Sequence, residues 1–339
     1  MRIVFMGTPE FSAKILSALY DGGHEITAVV TQPDRPAGRG KKILVSPVKE
    51  LASAYGTPVL QPARLRGSDE IGEIKEMLPD VIVVAAFGQI LPGEVLKIPR
   101  YGCINIHASL LPKYRGAAPI ERAIADGERV TGVTAMFMDE GLDTGDIAES
   151  ISVDITDDDT GASLTDKLSD SGARLIIKTL SDLEKGTIKR QKQNDSLSTY
   201  AHMLKKEEGR IDFSMSAAEI ERRIRAFDPW PGSYTRLSGR ILKVWRAGVE
   251  SEPQAFAAPT DVKSGPQVSA SATDAKGESQ DSGIRPGTVI GTGKSGIRVA
   301  TGDGVLVVRE LQPEGKKRMP ADAFLRGYDL KEGTCFSDE

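Results

Sequence analysis

The chain has 339 residues, 39% of them apolar and 27% charged, with 44 Lys and Arg against 48 Asp and Glu for a net charge of -4. That length suits about two domains, and the composition is that of a globular protein, neither disordered overall nor fibrous. Cys103 and Cys335 are too few and too far apart for a disulfide framework, and with three scattered histidines they offer no ligand cluster for a metal.

In chain order, residues 2–6 (RIVFM) form an apolar run that Gly7, Pro9 and Glu10 cut short. About five residues are too few for the apolar part of a secretory signal, and no run reaches the roughly 20 apolar residues of a membrane span. A cytoplasmic protein with no membrane attachment is expected. The runs at 26–30 (ITAVV) and 81–86 (VIVVAA) are, like the first, apolar on successive positions, the mark of strands covered on both faces. Helical spacing lies between them: Phe11, Ile15, Leu16 and Leu19 within 11–20, then 48–55 and 71–77. Further strands are expected at 103–106 and 132–138, and helices at 118–126 and 160–184, with Thr160 or Ser163 capping the last. Strand alternating with helix predicts an α/β fold, a doubly wound, mostly parallel, Rossmann-like sheet over residues 1–204.

From about 209 the texture changes, and residues 205–339 read as a second domain. A helix at 217–226 leads into Gly- and Pro-punctuated strands across 227–249, with more strands at 287–290, 296–300 and 304–311 and turns at 291–293 and 302–304. About five short strands with one or two helices suggest a small OB-like β-barrel. Residues 250–283, rich in Ser, Ala, Pro, Gly and Asp, read as a flexible insertion between its strands. The charge is unevenly spread. Residues 205–249 and 284–330 carry 18 cations against 11 anions, while 1–204 and 250–283 are acidic. The global -4 conceals a basic module, which is modest support for a nucleic-acid partner.

The stretch at 102–119, GCINIHASLLPKYRGAAP, is the richest in chemistry. Side chains alternate along a strand, so Asn105 and His107 share a face at the carboxyl end of an expected strand, where open α/β sheets present their ligand crevice. An isolated Asn-x-His is more often a satisfied edge pair. Here an apolar loop follows, Ser109, Leu110, Leu111 and Pro112, suited to a flat ligand. Downstream, Asp139, Glu140, Asp143 and Asp146 lie among glycines, without the spacing of a calcium loop. An Asn, a His and an Asp together can run acyl transfer to an amine: N–H donors stabilise an oxyanion, and the carboxylate orients the imidazole or takes a proton. Ser109 lacks a Gly-x-Ser-x-Gly elbow, and residues 6–11 lack the dinucleotide Gly-x-Gly-x-x-Gly pattern. Residues 31–45, TQPDRPAGRGKKILV, interleave Arg35, Arg39, Lys41 and Lys42 with Gly and Pro as a basic loop that is either solvated or a phosphate contact.

The run GCINIHASLLPKYRGAAPI, with GLDTGDI downstream and MGTPEFS at the start, resembles the folate-dependent formyltransferases over almost the whole chain. The basic loop and the second domain narrow the resemblance to the members that act on an aminoacyl-tRNA. It implies Asn105, His107 and Asp143 as the catalytic three, Ser109 to Pro112 (Ser109, Leu110, Leu111 and Pro112) as folate contacts, and Arg35, Arg39, Lys41 and Lys42 as tRNA contacts. It further implies formyl transfer from 10-formyltetrahydrofolate to the α-amino group of methionyl initiator tRNA. No strong apolar self-association pattern stands out in the sequence, so a monomer is expected, and the scattered Cys and His lead one to expect no metal. The 250–283 stretch is longer than the resemblance leads one to expect.

Overall fold

The computed structural model describes residues 1–37, 42–250 and 284–336, with the backbone alone at 36, 37, 42 and 43. The chain divides into two compact units, Met1–Lys205 and Lys206–Glu339. In the first, β1 (Arg2–Gly7), α1 (Glu10–Asp21) and β2 (Glu25–Val30) form the opening βαβ unit. A short antiparallel ribbon, β3 (Arg35–Ala37) with β4 (Lys42–Leu44), precedes α2 (Pro47–Ala54), β5 (Val59–Leu60), α3 (Glu70–Glu76) and β6 (Val81–Ala85). Next come α4 (Gly93–Leu96), β7 (Cys103–His107), the two-residue β8 (Arg115–Gly116), α5 (Pro119–Ala125) and β9 (Val130–Phe137). The edge strand β10 (Ile147–Asp154) and the long α6 (Gly161–Lys185) follow, and β11 (Tyr200–Ala201) returns to pair with β8.

Seven strands form the main sheet in the order β10-β9-β7-β6-β1-β2-β5. The pairings from β5 to β7 are parallel, and β9 and β10 run antiparallel to their neighbours. β6 and β7 are buried at every position; in β6 this matches the unbroken apolar run of a central parallel strand, while in β7 the buried set includes Asn105 and His107. One face packs Val4, Met6, Val30, Ile82 and Val84 against Ile74 of α3 and Val95 of α4. On the other, α6 comes so close that a Cβ at Gly172 would lie 3.1 Å from Ile106 and 3.2 Å from Ile15 of α1. Helices on both faces make the unit doubly wound.

The start of α6 shows how polar residues fix an element. Thr160 is the N-cap, accepting from Ser163 N, while Ser163 Oγ accepts from Thr160 N, so both residues expected as caps act in one capping box. Just before it, Asp159 is 3% exposed. Burial works to raise its pKa, but Lys167 Nζ at 2.7 Å, Thr156 N at 2.8 Å and Ser163 Oγ at 2.8 Å outweigh it and hold the carboxyl at about 2, against an ordinary 3.8. Asp159→Asn is expected to cost about 2 kcal/mol of unfolding free energy at pH 7, measured by urea unfolding. Because the folded pKa lies below the unfolded one, this stabilisation is complete above the unfolded value and is lost as pH falls through about 2. The gap between wild type and variant should close over that window.

The second unit holds α7 (Ala217–Ala226), β12 (Ser233–Leu237), β13 (Arg240–Glu250), β14 (Val289–Gly293), β15 (Gly296–Ala300), β16 (Val305–Pro313), β17 (Met319–Pro320) and α8 (Ala321–Gly327). Its strands form an antiparallel sheet in the order β12-β13-β16-β15-β14, with β17 added on β16. The inward residues Leu242, Val244, Val299, Leu306 and Val308 bury Ile220 and Ile224 of α7 and Phe324 of α8. The turn expected at 291–293 sits later: β14 runs to Gly293, which pairs with Gly296, so Lys294 and Ser295 make the hairpin turn and Gly296 supplies its positive φ of 135°. Of the expected 250–283 insertion, residues 251–283 lie outside the described residues. Among the described residues, no helix is long and apolar enough to cross a membrane.

Candidate active site

β7 ends the parallel part of the sheet and delivers two buried polar side chains, Asn105 (8% exposed) and His107 (6% exposed). In register, Asn105 lies between Val84 of β6 and Met136 of β9, and His107 is opposite Thr134. Strand alternation sends Ile106 toward α6 and these two residues to the other face. The loop after β7 then turns back on itself. Ser109, fully buried, donates its hydroxyl to Lys113 O at 2.6 Å. Thr134 Oγ1 donates to Ser109 O at 2.7 Å and accepts from Leu111 N at 3.2 Å, tying the loop to β9. As a result Tyr114 O stands 2.8 Å from His107 Nε2. A carbonyl oxygen only accepts, so Nε2 carries a hydrogen and Nδ1 is the edge of the ring that faces the site.

The third group arrives from the loop between β9 and β10. Asp139 Oδ1 accepts from Gly141 N at 3.0 Å and from Thr144 Oγ1 at 2.7 Å, coiling the loop tightly. Asp143 adopts a positive φ of 54°, a conformation Asp tolerates better than most residues. Its Oδ2 accepts from Gly116 N at 2.9 Å and lies 3.7 Å from His107 Nδ1, and its Oδ1 accepts from Asn105 Nδ2 at 3.3 Å. The structure therefore brings Asn105, His107 and Asp143 together. An amide N–H donor, one free imidazole nitrogen and a carboxylate meet in a mostly buried spot, where hydrogen bonds to a developing charge count for more than in water.

The expected folate contacts divide by role. Ser109 and Leu111 are buried and shape the loop, Leu110 lies over Gly132 of β9, and Pro112 is half-buried. Two large apolar side chains are exposed nearby in the chain, Ile90 at 71% and Leu142 at 52%. They sit on loops that meet where Glu140 Oε1 lies against Gly93.

Arg35 is exposed and donates to Gln32 Oε1 at 3.3 Å. Arg39 and Lys41 lie outside the described residues, and Lys42 is described by its backbone in β4 alone. The base of this ribbon is anchored by Asp34, which accepts from Lys49 Nζ at 2.6 Å and Gln61 Nε2 at 2.9 Å. The bond from Lys49, then that from Gln61, holds its carboxyl below the ordinary carboxylate range. In the second unit, Arg318 is shared between Glu310 and Asp228 and lies over the Trp245 ring, as does Lys243. Lys316 and Lys317 are exposed.

Sequence reasoning missed the backbone partners, Tyr114 O and Gly116 N, and the side chains of Thr134 and Gln193 that hold the surrounding loops. Backbone groups leave no residue-type signal; Thr134 could have been found as the strand residue opposite His107.

Two family models match: "Formyl transferase" over residues 1–180 and "Formyl transferase, C-terminal domain" over 203–329. The chain is 49% identical to the methionyl-tRNA formyltransferase of Lachnospira eligens, covering all of both chains. It is 46% identical to that of Geobacter sulfurreducens, over 98% of this chain and 96% of the relative. Among solved structures it is similar to WlaRD, a sugar 3N-formyl transferase (TM-score 0.61, 18% identity, 94% of this chain and 99% of that one). It is also similar to HypX from Aquifex aeolicus solved with tetrahydrofolic acid (TM-score 0.60, 19% identity, 96% of this chain), of which it spans about half, 47%. These last two likenesses are of fold.

Proposed function

The chain belongs to the formyl transferase family, and from that premise we propose that it transfers the formyl group of 10-formyltetrahydrofolate to the α-amino group of methionyl initiator tRNA, for translation initiation. The observation that carries the reading is the meeting of Asn105, His107 and Asp143 on a chain whose curated relatives have this activity by name over their full length. The co-substrate supplies an activated formyl group. Asn105 Nδ2 donates to the formyl oxygen as the attacking amine drives negative charge onto it, exchanging its long bond to Asp143 for a short one. His107 takes a proton from the amine at Nδ1, the one ring nitrogen that Tyr114 O does not hold, and Asp143 stabilises the resulting imidazolium from 3.7 Å. The new N–C bond forms as the bond from the formyl carbon to the folate nitrogen breaks, and the proton held on His107 passes to that departing nitrogen. No residue becomes acylated, and the residues present call for no metal.

Leu110, Pro112, Ile90 and Leu142 supply the apolar surface for the folate ring, with Ser109 and Leu111 fixing the loop beneath. Arg35, Arg39, Lys41 and Lys42 contact the acceptor end of the tRNA, and the cations of the second unit follow its backbone. The enzyme works as a monomer in the cytoplasm. Incubation with 10-formyltetrahydrofolate and either charged initiator tRNA, charged elongator tRNA or free methionine tests the assignment. Formylation of initiator methionyl-tRNA alone is expected, and none on any acceptor sinks it. Arg39→Ala is expected to raise KM for methionyl-tRNA by about tenfold, with a shallower dependence on salt. Folate affinity should stay unchanged in a fluorescence titration; equal loss of both affinities would contradict the tRNA role.

A further inference from the structure

Residues 181–202 lie between the two stretches that the family models match, and part of this segment runs back across the site. Gln191 exchanges both backbone hydrogen bonds with Ile147, at 2.8 and 2.9 Å. Two residues on, Gln193 Nε2 donates to Asp143 O and to Gly145 O, each at 2.8 Å. Gln193 Oε1 accepts twice from Arg115, from Nε at 3.1 Å and from Nη2 at 2.8 Å. Arg115 is 3% exposed, and its Nη2 also donates to Asp195 Oδ1 at 2.7 Å. Further along, Thr199 Oγ1 accepts from Tyr114 N at 2.8 Å, Thr199 O from Arg115 N at 2.9 Å and Ala201 O from Ala117 N at 2.9 Å. One segment thus grips both loops of the site: the one that presents Tyr114 O to His107 and Gly116 N to Asp143, and the one that carries Asp143 itself.

We infer that residues 191–201 form a strap that sets the catalytic geometry, with Gln193 as the positioning residue for Asp143. The inference rests on the formyl-transfer reading above. Asp143 is held in a left-handed conformation, which persists where neighbours over-determine it. Gln193 supplies that constraint, fixing the carbonyls of Asp143 and Gly145. A side-chain amide gives two N–H groups to two carbonyls while its oxygen takes the two N–H groups of a guanidinium. Glutamate, the same size, keeps the second set of bonds and loses the first. That difference separates positioning of Asp143 from mere anchorage of Arg115.

The test uses the full chain with Gln193→Glu and with Gln193→Met, which is of similar length and has no N–H donor. Both are expected to fold and to formylate methionyl-tRNA with kcat lowered by about 100-fold, the cost of about an ångström of misplacement, and with either KM changed by less than about twofold. In an Asp143→Asn background the same substitutions should cost nothing further, because residues that act as one unit are not additive. Wild-type kcat in both variants, or an undiminished loss in the Asp143→Asn background, overturns the proposal. Amide hydrogen exchange across 139–147 reads the strap without any substrate, and it should quicken in both variants. Unchanged exchange overturns the strap whatever the enzyme turns over. A wild-type chain inactive on methionyl-tRNA, with exchange still dependent on Gln193, supports the strap and overturns the reading of the reaction alone.

Discussion

Asn105→Ala is expected to lower turnover by about 100- to 1,000-fold, the usual effect of removing one oxyanion donor, while leaving the fold intact. The ladders that place β7 run through backbone groups paired with Val84 and Met136, and those survive truncation of the side chain. What disappears is an amide N–H whose partner is Asp143 Oδ1 at 3.3 Å, a long bond that costs little to give up to a substrate oxygen. Asp143→Asn should be at least as damaging for a different reason. The amide can still accept from Gly116 N, so the loop stays closed, but the negative charge 3.7 Å from His107 Nδ1 is gone. An imidazole that takes the amine proton then has no counter-charge in a site shielded from water. Single-turnover formylation measures both variants, and activity of either within about tenfold of wild type would refute the assigned roles.

Gly145→Ala is expected to cost about 100-fold in kcat by a steric route. A Cβ at this position would collide with Phe137 O, a backbone oxygen at the end of β9, whose residue pairs with Ile104 of β7. The strand has little freedom to yield, since Phe137 N also donates to Asp146 O at 2.8 Å and closes the loop at its base. The loop must therefore lift away from the sheet, and it takes Asp143 with it. Overpacking of this kind costs about 1–3 kcal/mol of stability as well. The expected signature is a large fall in kcat with a modest fall in melting temperature, read by formylation assays and thermal unfolding. Wild-type kcat would show that the loop tolerates the displacement.

The parallel half of the sheet was legible in the residues because burial on both faces demands continuous apolar runs, and β1, β2 and β6 have them. Asn105 and His107 were placed together by strand alternation alone. Asp143 was one of four acids in a glycine-rich loop, and only the family resemblance singled it out. Geometry now gives the reason: Asp139 turns inward to coil the loop, Glu140 lies against Gly93, and of the remaining two it is the Asp143 carboxylate that reaches Asn105, His107 and Gly116. The edge strand β10 escaped notice because it is half-buried, with polar residues among its few apolar ones. The two-residue strands β8 and β11 escaped because no periodicity fits in so short a span. Gln193 was invisible for a deeper reason: its partners are backbone carbonyls 48 and 50 residues away, and these look the same whatever side chains they carry.

The return of β11 to β8 has a consequence for how such chains can be recombined. A first unit cut at residue 180, where its family match stops, would keep all three reacting side chains and lose Gln193, Thr199 and Ala201. Grafting that first unit onto a different second unit therefore has to carry the native chain through Ala201. The portable piece is longer than the recognisable one, and the extra 21 residues, though they bear no chemistry, travel with the reaction.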